Sequence, residues 1–76
     1  PFNPRTNIEI SISEGGDLEL SIYNLHGQAV DRIHSGLVSS GNHQFIWDAV
    51  NHPSGIYVIK MDINGFGETQ KIILMK

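Results

Sequence analysis

Asn7 to Tyr23 reads NIEISISEGGDLELSIY, and the alternation within it decides the fold class. Ile8, Ile10 and Ile12 fall on one side of an extended chain, with Glu9, Ser11 and Ser13 on the other, which is the period-2 pattern of a strand with one wet face. After Gly15 and Gly16 the pattern resumes with Leu18, Leu20 and Ile22 inward, so the stretch reads as a hairpin turning at the glycine pair. Further along, NLHG (24–27) has turn chemistry, since Asn and Gly tolerate positive φ. QAVDRI (28–33) reads as a short strand with Val30 and Ile33 as core contacts, and HSGLVSSGN (34–42) as a Gly- and Ser-rich loop. HQFIWD (43–48) places Phe45 and Trp47 on one face and leads into a turn region, AVNHPSG (49–55). IYVIKMDI (56–63) sets Tyr57, Ile59, Met61 and Ile63 opposite Lys60 and Asp62. Asn64-Gly65 then gives a strong hairpin signal before the last strand, ETQKIILMK (68–76).

Short strands separated by turn signals, with no helical periodicity, predict an all-β domain: a small antiparallel immunoglobulin-like β-sandwich of six or seven strands. Strand count alone leaves an open barrel as the alternative. Seventy-six residues allow one domain and one core, in which Trp47 and Phe45 are expected to dominate. There is no cysteine, so neither a disulfide framework nor a thiolate metal site is available. A net charge of -3 without a basic stripe argues against nucleic acid as a partner. No apolar run is long enough for a spanning helix, and PFNPRTN at the start lacks the order of a signal peptide. Without an initiator methionine, the chain reads as a single domain, 1–76, cut from a longer secreted protein.

Residues that could carry chemistry do not assemble. His26, His34, His43 and His52 fall in turns, loops or strand starts without metal-ligand spacing and read as surface histidines. Ser54, His52 and Asp48 lack a nucleophile elbow, and PSGIY reads as a turn entering a strand. Gly65-Phe66-Gly67 lacks the strand-to-helix context of a phosphate loop. No catalytic, cofactor-binding or metal residue is assigned, and a non-enzymatic role is expected. Of the Trp and Tyr residues, Tyr23 reads as outward and Trp47 and Tyr57 as core, a poor platform for sugar.

The carboxyl end is the exception. Ile72, Ile73, Leu74 and Met75 form an unbroken apolar run between Lys71 and Lys76, which implies that both faces of the strand meet something. It is either a central strand covered on both sides or an edge strand whose outer side is kept for a receptor. In the second case the flanking lysines act as gatekeepers, and pairing between two such edges offers a route to a dimer.

Five stretches in series, PFNPRTNIEISI, LELSIYNLHGQAV, SGNHQFIWDA, PSGIYVIKM and GFGETQKIILMK, resemble the C-terminal sorting domain of proteins exported by the type IX secretion system, in its type A form. That form overlaps in pattern with the immunoglobulin-like domain of flagellar hook-capping proteins. Tyr23 and Gly27 match a Tyr-Asp-x-x-Gly-Arg pattern in which Asn24 replaces Asp and Gln28 replaces Arg. Trp47, Asp48 and Ala49 meet a Trp-Asp-Ala phrase, Pro53, Gly55 and Tyr57 a Pro-x-Gly-x-Tyr phrase, and Lys71 and Lys76 the terminal lysines. The resemblance implies a sorting signal that carries an N-terminal cargo through the outer-membrane translocon, with a shuttle protein and a sortase-like peptidase as partners. It implies transit through the periplasm to the outer membrane, cell surface or medium, with cleavage and surface attachment as further steps. Gly55, Tyr57, Lys71, Ile72, Ile73, Leu74, Met75 and Lys76 are the residues it suggests for translocon recognition. The alternative reading is an accessory module of an extracellular hydrolase that binds carbohydrate or packs against a neighbouring domain.

Overall fold

The computed structural model describes residues 5–75, which form six strands and no helix: β1 (Arg5–Ile12), β2 (Gly16–Tyr23), β3 (Ala29–Val38), β4 (Gly41–Asp48), β5 (Gly55–Ile63) and β6 (Phe66–Leu74). All pairings are antiparallel. One sheet has the order β3-β2-β5-β6, and β1 pairs with β4 in a second, two-stranded sheet packed over it. The fold is thus the immunoglobulin-like sandwich that the alternation predicts.

The core lies between the sheets. β2 is central in its sheet, and its Leu18, Leu20 and Ile22 are fully buried; Ile8, Trp47, Ala49, Tyr57, Ile59 and Leu74 complete the layer with Leu20 and Ile22. Val30, Ile33 and Phe45 are half-buried against it, in agreement with their inward assignment. Trp47 donates its indole N–H to Asp31 Oδ2 at 3.1 Å and meets the Tyr57 ring edge-on at 5.1 Å between centroids. Such a ring pair contributes about 0.5–1.5 kcal/mol beyond its buried area.

Three sequence expectations are corrected. β1 and β2 do not form a hairpin: β1 pairs with β4, and β2 lies between β3 and β5. Their two apolar rows therefore face each other across the core instead of lying side by side, which lets both be covered at once. Gly15 and Gly16 serve as close-approach points to the end of β3 and to the β5–β6 turn. A Cβ on Gly15 would stand 2.8 Å from the Val38 carbonyl oxygen, and one on Gly16 would collide with the Asn64 side chain.

Residues 34–42 are not a loop. β3 runs to Val38 and β4 begins at Gly41, so only Ser39 and Ser40 separate them. Pairing of residues 34–38 with Gly16–Leu20 satisfies backbone groups that the Gly- and Ser-rich composition made look loop-like. β3 is bulged opposite Leu20/Ser21 and Ile22/Tyr23. Three of the four histidines, finally, are only partly exposed. His26 is exposed, but His34, His43 and His52 are half-buried against aromatic rings. His34 Nε2 is buried without a hydrogen-bond partner among the described residues.

The close approach at Gly15 has a measurable consequence. Gly15→Ala is expected to lower stability by about 1–3 kcal/mol, because its Cβ meets backbone and not a yielding side chain. Gly67→Ala, whose Cβ meets nothing closer than 3.8 Å, is expected to change it by less than about 0.5 kcal/mol. Urea midpoints of the two variants check the contrast.

Candidate functional site

The hairpin of β5 and β6 sets the facing of every residue in the terminal strand. Its turn residues both have positive φ, 51° at Asn64 and 86° at Gly65, as a type I′ connection requires. The turn is docked on the β1–β2 link, with Asn64 N–H donating to the Asp17 carbonyl and Asn64 Nδ2 to the Gly15 carbonyl. Register then runs from Ile63↔Phe66 to Gly55↔Leu74. Because Tyr57, Ile59 and Met61 point into the sandwich, their partners Ile72, Gln70 and Glu68 are on the inner face, and Lys71 and Ile73 are on the outer one.

β6 is an edge strand. Its apolar run is not covered on both sides: Leu74 is 5% exposed and Ile72 half-buried, whereas Ile73 is 68% and Met75 74% exposed. The inner face is also unlike a usual core face in its first half, where Glu68 and Gln70 are exposed. The covering sheet has only two strands, so a groove of about 220 Å³ stays open between β1 and β6. Ile10, Leu20, Ile59 and Met61 are among the residues that line it, with Glu9 and Glu68 on its sides.

The suggested recognition residues thus separate into two groups. Lys71, Ile73 and Met75 are exposed, and Ile72 and Leu74 anchor the strand. Lys76 lies outside the described residues. Tyr57 is buried, and its hydroxyl donates to the Pro53 carbonyl oxygen at 2.6 Å, which explains the Pro-x-Gly-x-Tyr spacing as a brace at the entry to β5. Gly55, half-buried, opens that strand opposite Leu74.

The Asn24–Gln28 turn is similarly self-contained. Asn24 Oδ1 accepts from the N–H groups of His26 and Gln28, and Asn24 Nδ2 donates to Gln28 Oε1 at 3.0 Å. A neutral pair therefore bridges the turn at the two positions that depart from the Asp and Arg of the resembling pattern.

Sequence reading passed over the exposed Phe66 and two apolar residues on the outer face of β5. Phe66 is 77% exposed on the inner side of the sheet, whereas the outward Tyr23 is half-buried. Ile56 and Val58 lie on the outer face with Lys60 and Asp62, and the signal for them was an apolar residue at each of two wet positions of a strand. Among the described residues, no group of three or more His, Asp or Glu side chains could hold a metal ion.

Fold and terminal strand together define a small immunoglobulin-like module with an apolar edge strand. The chain belongs to the type IX secretion C-terminal sorting domains: the family model described as a secretion system C-terminal sorting domain matches residues 1–75. No curated protein and no solved structure matches it. Membership makes the domain a C-terminal secretion signal that works with the type IX machinery on an N-terminal cargo bound for the cell surface or extracellular space.

The alternation along β6 is directly measurable. Leu74→Ala is expected to cost about 2–5 kcal/mol and Ile73→Ala to stay within about 0.5 kcal/mol of the parent, as read from urea unfolding. Equal losses at both positions would mean that Ile73 is covered in solution.

Proposed function

We propose that this domain is a non-catalytic address label, read by the type IX translocon and its shuttle protein at the terminal segment from Lys71 to Lys76. In this reading the fused cargo crosses the periplasm with the domain folded. A sortase-like peptidase then removes the domain and attaches the cargo to the cell surface. Gly55 and Tyr57 act by holding β5 and thereby the register of β6, and Ile72 and Leu74 by fixing which residues face outward. Lys71, Ile73, Met75 and Lys76 are assigned to contact with the machinery.

The observation that carries the reading is an edge strand whose outer side ends on the exposed Ile73, followed by the exposed Met75. Such an edge is an aggregation hazard unless a partner uses it. A sugar-binding role has less support: the exposed Phe66 pairs with the inward-pointing Ile63, whereas the half-buried Tyr23 faces outward, so the two rings lie on opposite faces and form no common platform.

The test is export of a fluorescent cargo joined through a linker to residues 1–76, in type IX-competent cells and in a translocon mutant. Surface or medium signal in the competent strain alone is expected, and deletion of Ile72 to Lys76 is expected to abolish it. Export without those residues would remove the terminal strand as the signal.

A further inference from the structure

We infer that the machinery reads a face and not only a terminal strand: the outer surface of the four-stranded sheet where Ile56, Val58 and Ile73 are ringed by Lys60, Lys71 and Tyr23. The partner this face fits is a protein surface with an apolar centre and a rim of Asp and Glu carboxylates. The inference rests on the sorting role proposed above and specifies which side of the domain performs it.

Register brings the patch together from three strands. Ile56 lies opposite Ile73, and Val58 lies between Tyr23 on β2 and Lys71 on β6. Lys60 is on the same face one pleat further along β5, with its Nζ 5.8 Å from the centre of the Tyr23 ring. Beyond it, Ser21 has Lys60 on one side and Arg32 on the other. The apolar members sit at positions that should be wet in a strand with one solvated face, and Ile56 and Ile73 are 38% and 68% exposed.

Charge selects the occupant. Of the five basic residues in the chain, Arg5 is 3.7 Å from Asp48 and Lys76 lies outside the described residues. The other three, Arg32, Lys60 and Lys71, all stand on this face of a domain whose net charge is -3. The carboxylates on the same face, Asp17, Glu19 and Asp62, lie on the far side of Lys60 from the apolar patch, with Glu19 and Asp62 next to Lys60 and Arg32, and Glu19 accepts from Ser35 Oγ at 2.7 Å.

The open groove between β1 and β6 has the opposite character, with Glu9 and Glu68 in its lining and no basic residue. An apolar surface rimmed by carboxylates is therefore steered to the outer face and repelled by the groove. An apolar centre with a charged rim is also the usual anatomy of a specific interface.

The decisive variant leaves β6 untouched. Ile56→Ser with Lys60→Glu on β5 is expected to reduce export of the fluorescent cargo about tenfold or more, as is Lys71→Glu with Ile73→Ser on β6. Glu9→Lys with Glu68→Lys in the groove is expected to export like the parent. Protease resistance of each retained fusion reports folding, and where the β5 double variant is degraded, Lys60→Glu alone carries the test.

Parent-level export of a folded β5 variant would overturn the face assignment and leave the sorting role standing. Loss of export in the groove variant with retention in the face variants would transfer the reading surface to the groove. Failure of the parent fusion to leave a competent cell would overturn the sorting role, and the face assignment with it.

Discussion

Among the described residues no strand ladder joins the two sheets, so apart from the chain connections side-chain packing holds β1 and β4 on the four-stranded sheet, and Trp47 is the largest fully buried side chain in it. Its ring reaches from β4 into the layer of Leu20, Ile22 and Ile59. Its N–H is satisfied by Asp31 on β3, and the rings of Tyr57 and His52 pack against it. One residue thus links β4, β3, β5 and the loop that precedes β5. A buried indole without a partner for its N–H would cost much of what its area contributes, so Asp31 is needed as much as the ring.

The same construction explains why one side of the molecule stays open. A two-stranded sheet covers the middle of a four-stranded one and leaves an edge bare, here the inner side of β6 before Ile72. Apolar residues there would invite a further strand. Glu68 and Gln70 occupy those positions instead, and an inward-pointing charge is a known safeguard of sheet edges. The second half of β6 has Lys71 beside the exposed Ile73 on its outer row, while Ile72 and Leu74 turn inward.

A sorting signal has to be carried by many cargos, so its information must be held within its own small fold. This domain does so with local devices: the Asn24 side chain organises one turn, Asn64-Gly65 another, and the Tyr57 hydroxyl braces the third connection at Pro53. Each device fixes where a strand begins and hence which side chains reach the surface. The exposed residues of β5 and β6 are consequently presented in a defined pattern even though β6 is an edge.

Much of this was legible in the chain. Alternation in residues 7–23 and 56–63, and the Asn64-Gly65 pair, were enough for strand identity, inward residues and the last hairpin, because strand facing and turn conformation are local properties of neighbouring residues. Motif order was enough for the family. Partner choice was not legible: the Gly15-Gly16 link looks the same whether the chain doubles back in one sheet or crosses to the other, and residues 34–38 look like a loop until β2 lies beside them. Nor could the run Ile72 to Met75 disclose that one of its faces is bare. Covering a strand depends on how many strands the opposite sheet contributes, a long-range quantity that no local pattern encodes, and only the packed structure placed Ile56, Val58 and Ile73 on one surface with Lys60 and Lys71.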